Sequence, residues 1–481
     1  MLSEFGRDVV KENALDWVRA GLIGEGVELP NSNGKHLVYA DYIASGRALK
    51  QVEDFIAENV LPFYANTHSD TSFCGIHTTA LREEARATIA RLAGADDECS
   101  VIFAGSGATA GLNRLVELLG VSDAIQRDER PVVFIGPYEH HSDILPWRES
   151  GAIVVNIPEA PEGGPDLAEL EKALIAHKHR PLKIGAFSAA SNVSGILTDT
   201  GSVTRLLKAH GALSVWDYAG AAPYVPISMT ASGSALIDAI VLSPHKFPGG
   251  PGASGILIVR NNAVRLERPT WPGGGTVSFV SAWNHDYVDD LVGREEAGTP
   301  NIVGDIRAGL VFLVKEMIGQ DFIKLRDEQL NQRALALWQR NPNLVLLGAD
   351  KPNRLPFFSF LVKDGKGGFV DPLLVARQLS DRYGIQSRGG CSCAGIYGHQ
   401  LLAINHDHSN QLRTAILAGD ESQKPGWTRL NLSYLMSDTT ADFIVKSVDE
   451  LAQCRTELSS DISIKSDGFF KFISKYENAR S

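Results

Sequence analysis

This sequence has few cysteines, no long hydrophobic run and no basic block, and each absence excludes a class of protein. Five cysteines among 481 residues are too few for a disulfide framework, so we expect reduced thiols and a cytoplasmic protein. No stretch approaches the roughly 18 apolar residues of a membrane helix, and the N-terminus shows no signal-peptide core. The formal charge of -11, without a basic block, argues against a nucleic-acid partner.

Between about residues 100 and 260, short β-rich runs alternate with segments of helical periodicity. The expected strands are 99–103, 132–135, 153–157, 184–188, 213–216, 237–242 and 256–259. Helices are expected at 108–119 and 166–178. Strands that alternate with helices predict an α/β fold with a mostly parallel sheet covered on both faces.

The pattern changes near residue 304, where a long helix leads into a second unit. Strands are expected there at 344–347, 357–362 and 428–433, and helices at 371–383, 411–417 and 441–451. The chain therefore divides into three predicted parts. These are an N-terminal segment (1–39) that packs with either unit, a large domain (40–303) and a smaller α+β domain (304–481).

Lys246 follows an apolar strand and the tripeptide Ser243-Pro244-His245. A lysine just past a buried strand cannot bury its charge cheaply, so it either reaches solvent or does chemistry. Ser243 and His245 suit a phosphate, and the cluster as a whole suits a Schiff-base lysine for pyridoxal phosphate (PLP). Viewed alone, a lysine at a strand end is more often simply solvated.

Polar residues also follow several other expected strands. The glycine-rich turn 104–109, with Ala108 and Thr109, offers N–H groups and a hydroxyl to a phosphate, although tight packing also explains its glycines. Asp217 suits a pyridine nitrogen, Asn192 a phenolic oxygen and His140 a flat ring. Each has an alternative as a cap, turn or core residue. Their convergence at one sheet edge predicts a ligand site there.

Two features of the C-terminal half also suggest chemistry. Cys391 and Cys393 lie in a glycine-flanked loop after Arg388, which indicates a nucleophilic thiolate. Metal binding together with His399, or inert thiols, are the alternatives. Arg429 suits a bidentate contact with a substrate carboxylate, or is a surface arginine.

The order of these pieces resembles the class V aminotransferase group of fold-type I PLP enzymes, above all its cysteine desulfurases and selenocysteine lyases. The resemblance runs from Tyr39-Ala40-Asp41 to the strand that carries Arg429, which is most of the chain. The matched motifs are Gly107-Ala108-Thr109 with Asn113, Glu139-His140-His141, Asn192, Asp217, Ser243-Pro244-His245-Lys246, Glu296-Ala297-Gly298-Thr299-Pro300-Asn301 and the cysteine loop.

The resemblance implies roles toward the cofactor for nine of these residues. Lys246 would bond the cofactor covalently, His140 would stack on its ring, and Asp217 would pair with the pyridine nitrogen. Asn192 would meet the phenolic oxygen. The phosphate would be held by Ala108, Thr109, Ser243, His245 and, from a second subunit of a homodimer, Thr299.

The resemblance also implies how a substrate would bind and react. Arg429, with Arg388 and Asn192, would hold the substrate. The family's persulfide-forming cysteine follows an arginine that matches Arg388 by five residues. This spacing implies that Cys393, and not Cys391, is the nucleophile. Lys246 and His140 would complete the catalytic set.

The sequence departs from the desulfurase pattern in three places. Gly220 stands where those enzymes usually have a glutamine, three residues after the aspartate. Residues 395–427 form a longer segment, which suits a reshaped pocket or a docking partner. Residues 41–47 and 66–68 include bulky or charged side chains where desulfurases have small ones, which suggests a different or larger amino acid.

These features predict a homodimeric PLP enzyme that removes sulfur from L-cysteine, leaving alanine and a persulfide on Cys393 for a sulfur-acceptor protein. One alternative is another reaction of the same fold, such as a carbon–sulfur or selenocysteine lyase, an epimerase or an aminotransferase. A second alternative is a non-catalytic sulfur-relay or docking protein. No metal is expected.

Overall fold

A computed structural model describes residues 2–7, 9, 13–30, 32, 34–67 and 71–454. His68 and residues 455–481, which belong to predicted segments, lie outside the described residues. The helices are α1 (Ala14–Ala20), α2 (Lys50–Phe55), α3 (Phe73–Leu92), α4 (Gly107–Leu118), α5 (Val121–Gln126), α6 (Leu145–Glu149), α7 (Leu167–Ala176), α8 (Thr200–Ala209), α9 (Leu291–Glu295), α10 (Ile302–Ile318), α11 (Gln320–Trp338), α12 (Pro372–Tyr383), α13 (Gly395–Leu401), α14 (His406–Leu417) and α15 (Asp438–Gln453).

The strands alternate with these helices in the first half of the chain and cluster again in the second half. They are β1 (Val38–Tyr39), β2 (Cys99–Gly105), β3 (Val132–Ile135), β4 (Ile153–Asn156), β5 (Lys183–Ser188), β6 (Leu213–Asp217), β7 (Thr230–Ala231), β8 (Ala235–Leu236), β9 (Ala239–Leu242), β10 (Gly255–Arg260), β11 (Val277–Val280), β12 (His285–Tyr287), β13 (Leu344–Leu346), β14 (Phe357–Val362), β15 (Ile385–Gln386), β16 (Arg388–Gly390) and β17 (Trp427–Asn431).

The central sheet has seven strands in the order β2-β10-β9-β6-β5-β3-β4. The strands from β9 to β4 are parallel, and β10 is antiparallel to both of its neighbours. Side chains alternate between the two faces, so that Ile102 packs in one core with Leu112 of α4, while Phe103 packs in the other with Ile306 of α10. Helices therefore cover both faces, which confirms the predicted fold-type I α/β architecture.

The parallel strands end at one edge of this sheet, where the polar residues follow. Ser188, at the end of β5, pairs in register with Asp217, at the end of β6. Asp217 also pairs with Val241 of β9, two residues before Ser243. Since β10 is antiparallel to both β2 and β9, those two strands run in the same direction, and the turn from β2 into α4 lies at the same edge.

A second, antiparallel sheet has the order β13-β14-β17-β16. Its strand β17 brings Arg429 opposite Arg388 of β16. The N-terminal segment contacts both parts of the molecule, because Leu2 is buried near α3 and β1 pairs with β15. The proposed domain limits at residues 39/40 and 303/304 stay a prediction.

The segment 395–427 carries two helices, α13 and α14, which are joined by a 2.9 Å hydrogen bond between His399 Nε2 and Ser409 Oγ. The sequence predicted only the second helix, as 411–417, whereas α14 begins at His406. Across the described parts of the chain, no helix is long and apolar enough to span a membrane.

Candidate active site

Lys246 ends a short 3₁₀ turn that follows β9. Within the described chain its amine has no hydrogen bond or ion pair, although the charges of Asp217, Arg429 and Arg388 all act on it. Burial lowers the pKa of Lys246 to about 8, and Asp217 acts in the opposite direction. A lysine with this pKa supplies neutral amine near neutral pH, as a nucleophilic lysine must.

Asp217 is buried at the end of β6 and lies within electrostatic reach of Lys246. Its Oδ1 accepts the backbone N–H of Ala219 at 2.7 Å. Burial raises the pKa of Asp217, while that hydrogen bond and the charge of Lys246 lower it. A carboxyl group in this position can hold a proton against a ring nitrogen.

His140 is oriented by Ser142, two residues further along. Its Nδ1 accepts the Ser142 backbone N–H at 3.1 Å and lies 3.0 Å from the Ser142 hydroxyl. Burial, helped by the nearby charge of Lys246, lowers the pKa of His140 to about 4. The ring is therefore neutral and carries its proton on Nε2, which suits stacking against a flat ring.

The N-terminus of α4 contributes two of the predicted phosphate-binding groups. The Ala108 backbone N–H donates to Ser243 Oγ at 2.9 Å. Thr109 Oγ1 lies 2.7 Å from Ser142 Oγ, so a hydroxyl group of α4 meets one from the turn after β3 at the start of this helix. Backbone N–H groups and hydroxyls at a helix N-terminus are the usual ligands of a phosphate.

Gly107 leaves an open space between the N-terminus of α4 and the residues Ser243 and His245. Its φ is +59°, and a Cβ atom there would lie 3.0 Å from Ser243 Oγ and 3.2 Å from His245 Cε1. A side chain at this position would occupy the space that faces both residues. Burial lowers the pKa of His245 to about 4, so its ring would bind an anion as a neutral donor.

Arg429 and Arg388 share one carboxylate, Asp41, which sequence reasoning did not assign to the site. Arg429 Nη2 donates to Asp41 Oδ1 and Arg388 Nε donates to Asp41 Oδ2, each at 3.0 Å. Arg429 is buried and its Nε has no partner in the described structure. Two cations on one carboxylate leave a net positive charge, which suits a second carboxylate from a ligand.

Asn192 connects the arginine to the cysteine loop. Its backbone carbonyl accepts from Arg429 Nη1 at 3.1 Å, and its Nδ2 donates to the Ser392 carbonyl at 2.8 Å. Gly220 faces the same space, because a Cβ atom there would lie 3.7 Å from Ile43 Cδ1 and 4.0 Å from Asn192 Cβ. These are ordinary contact distances, so the glycine at this position leaves open space where the desulfurases usually have a glutamine side chain.

The cysteine loop is a tight turn bound to the rest of the site. Ser392 and Cys393 have φ values of +53° and +55°, and the Ala394 N–H donates to the Cys391 carbonyl at 3.2 Å. The Cys393 carbonyl accepts from the His141 N–H at 2.9 Å. Both thiols are exposed, and Cys393 lies near enough to Arg429 to raise the pKa of that arginine, against the larger lowering by burial.

The metal alternative has no support from this geometry. His399 uses both ring nitrogens in hydrogen bonds, to the Gly395 carbonyl at 2.8 Å and to Ser409. Over the residues that the structure describes, no group of three His, Cys, Asp or Glu side chains could hold a metal ion.

Thr299 is exposed on the loop before α10. Its contribution to a phosphate site through a second subunit stays a prediction. Sequence reasoning also overlooked Ser142, which contacts both His140 and Thr109. The hydroxyl of Ser142, two residues beyond His140, was the available signal.

Comparisons with known proteins identify the family of the chain. Residues 38–418 match the family described as Aminotransferase class-V. A probable cysteine desulfurase of Halalkalibacterium halodurans is 29% identical over 366 residues, covering 75% of this chain and 85% of that protein. A second, from Streptomyces coelicolor, is 28% identical over 368 residues, covering 75% and 84%.

Solved structures show the same fold. The apo cysteine desulfurase of Thermococcus onnurineus superposes with a TM-score of 0.72 at 25% identity, over 91% of this chain and 98% of that one. The cysteine desulfurase CsdA of Escherichia coli has a TM-score of 0.67 at 22% identity, over 92% and 98%. The chain therefore belongs to the class V aminotransferase family and is an enzyme; members of this family are generally PLP-dependent.

Proposed function

We propose that this chain is a PLP-dependent cysteine desulfurase, which converts L-cysteine to alanine and leaves the sulfur as a persulfide on Cys393. The observation that supports this most is the proximity of three different groups. The charge of the buried Arg429 acts on the partly neutral Lys246. Asn192 joins Arg429 to the loop of the exposed Cys393, since its carbonyl accepts from Arg429 and its Nδ2 donates to the Ser392 carbonyl.

The residues present fit PLP. The phosphate would occupy the space beside Gly107, where Ala108, Thr109, Ser243 and His245 would bind it. A side chain at position 107 would fill this space. Lys246 would bond the aldehyde, and Asp217 would face the ring nitrogen. When bound, PLP supplies an electron sink for negative charge that develops on the substrate's α-carbon.

The substrate carboxylate would bind between the two arginines. Arg429 keeps a buried, unpartnered Nε, and Arg388 uses only its Nε on Asp41. Both can therefore donate a further hydrogen bond to a carboxylate oxygen. Asp41 keeps the two guanidinium groups fixed, which orients the substrate toward Lys246.

The remaining steps belong to Lys246 and Cys393. The neutral Lys246 amine would take the α-proton, as its lowered pKa allows. The Cys393 thiolate would attack the substrate sulfur, so that an S–S bond forms as the C–S bond breaks. The electron pair of the broken C–S bond stays with the β-carbon, which takes the proton that the Cys393 thiol gave up on becoming a thiolate. The proton held by Lys246 would return to the α-carbon, and the product is alanine.

Gly220 favours a second candidate, the same chemistry on a different or larger amino acid. Apart from its chain neighbours, only Ile43 and Asn192 among the described residues come within 4 Å of a Cβ atom placed at this position, at 3.7 and 4.0 Å. The space can accommodate part of a longer substrate. A carbon–sulfur or selenocysteine lyase would use the same Lys246 and Arg429.

Three further parts of the proposal concern the protein's surroundings. A second copy of the chain would supply Thr299, and a sulfur-acceptor protein would take the persulfide from the exposed Cys393. A cytoplasmic location is consistent with the five unpaired cysteines.

Titration of the PLP-loaded protein with L-cysteine, followed by assay of alanine and protein-bound persulfide, tests the proposal. We expect one alanine for each persulfide in the absence of added thiol. Keto acid or inverted amino acid as the main product, with no persulfide, would exclude desulfuration. Parallel assays with selenocysteine and longer S-substituted amino acids test the second candidate.

A further inference from the structure

Three buried carboxyl groups near the sheet edge lie within electrostatic reach of one another, and the mechanism above uses only Asp217. The other two are Glu139 and Asp143, on the turn that follows β3. Their exposed fractions are 2% for Glu139, 0% for Asp143 and 6% for Asp217. Carboxyl groups without water must be paired with a cation, hydrogen-bonded or protonated.

Glu139 is held from both sides. Its Oε1 accepts the Gly136 N–H at 3.1 Å, and its Oε2 accepts the Ser188 hydroxyl at 2.5 Å. Ser188 pairs in register with Asp217, so a single residue separates Glu139 from the carboxyl group that would face the ring nitrogen.

The Asp143 and Glu139 side chains are near enough to interact, and a hydrogen bond between them requires that one of the two carries a proton. Asp143 Oδ1 accepts from Trp147 Nε1 at 3.0 Å, but its Oδ2 has no donor in the described structure. Neither Glu139 nor Asp143 has an ion pair among the described residues. Two carboxyl groups in contact without a cation cannot both be ionised.

Among the residues that the structure describes, no cation pairs with either carboxyl group. Asp217 faces the pair from β6, and its negative charge raises the pKa of both carboxyl groups, after the larger effect of burial. The charge of Lys246 acts on Asp217. His140 and His141 flank the pair on the same turn, and burial lowers the pKa of each, so both are neutral; Arg148 of α6 acts on His141.

We propose that Glu139 and Asp143 share one proton. The pair then carries a single negative charge, which acts on the site only through Asp217, so that both are positioning residues. The charge favours retention of a proton between Asp217 and the nitrogen base that it faces. A proton kept there holds the ring electron-poor. Only this last step rests on the proposed function, because the nitrogen belongs to the cofactor.

Infrared spectra of the apo protein in heavy water test the shared proton directly. Protonated carboxyl groups absorb apart from carboxylates, and we expect Asp143→Asn to remove one such component. Asp327 is buried with two unpartnered oxygens and should give a separate component, which Asp327→Asn removes. The matched control is Asp238→Asn, since Asp238 is equally buried but paired with Lys208 and should give none.

The charge effect is tested with ring-¹⁵N-labelled PLP bound to the protein, by following the nitrogen chemical shift against pH. Asp143→Asn leaves Glu139 ionised, so the pH at which the ring loses its proton should barely change. Glu139→Gln/Asp143→Asn removes the charge and should lower that pH by about one to two units.

The two measurements fail in different ways. An unchanged infrared spectrum in Asp143→Asn would overturn the shared proton. An unshifted nitrogen titration in the double variant would overturn the influence on Asp217. If PLP did not bind at all, the proposed function would fail, whereas the infrared result would still decide whether the pair shares a proton.

Discussion

The edge of the central sheet and the cysteine loop contribute to the same site in different ways. At the sheet edge, strand register places the buried Asp217, and the half-buried Lys246 follows β9 in a short turn; burial alters the pKa of each. In the cysteine loop both thiols are exposed, and contacts from Asn192 and His141 hold the turn. The comparison separates two requirements of the proposed chemistry: the groups that would handle protons are buried or half-buried, while the thiol that would pass sulfur outward is exposed.

The largest expected effect is at the sheet edge. Lys246→Ala removes both the covalent anchor and the base, so turnover should fall by roughly 10³-fold or more. Activity and borohydride-trapped cofactor measure this. Lys172→Ala, on an exposed helix face, is the control and should retain both. Full activity in Lys246→Ala would show that the lysine at the sheet edge takes no part in the reaction.

The next effect distinguishes the two thiols of the loop. Cys393→Ala should lower alanine production without added thiol by about 100-fold or more, because the acceptor of the sulfur is missing. Cys391→Ala removes another exposed cysteine two residues away and should retain most activity. Alanine and persulfide, measured in one reaction, provide the readout. A larger loss in Cys391→Ala would reverse the assignment.

Arg429→Lys tests the connection between the regions. Lysine cannot contact Asp41, the Asn192 carbonyl and a substrate at once, so KM should rise about 10- to 100-fold, as expected for one lost charged hydrogen bond. kcat should change less. A fall in kcat at unchanged KM would place Arg429 in the chemical step instead.

The pH dependence of cofactor attachment examines the sheet edge alone. Burial lowers the pKa of Lys246 to about 8, and only the neutral amine reacts, so the rate should rise with pH and level off above about 8. Stopped-flow absorbance of apo protein mixed with PLP measures this rate. A rate still rising toward the ordinary lysine pKa would show that burial does not activate this amine.

The smallest effect is expected at Gly220. A Cβ atom there would meet its neighbours at ordinary contact distances, so Gly220→Ala should change stability by less than about 1 kcal/mol. Gly250→Ala, in the loop after Lys246, would place a Cβ atom 2.1 Å from the Pro244 carbonyl oxygen and should cost roughly 3 kcal/mol. Denaturation of the two apo variants compares them. Equal losses would mean that position 220 is as crowded as position 250.

Much of the fold could be predicted because its strands are short, apolar and regularly spaced. Helix α3 was missed, since its buried face carries Thr78 and Arg82, and Arg82 is neutralised by Asp305 and Glu296 from distant segments. Strand β16 was missed because its Arg-Gly-Gly sequence has low strand propensity and forms only beside β17.

The sequence by itself determined the fold class, the lysine after β9 and the identities of the polar residues that follow each strand, because periodicity and motif order are local properties of the chain. Only the tertiary structure decided that Asp41 bridges two arginines, that Asn192 binds the cysteine turn and that Glu139 touches Asp143. These contacts join segments whose separation along the chain carries no periodic signal, and burial, which alters the pKa values, exists only once those segments have packed.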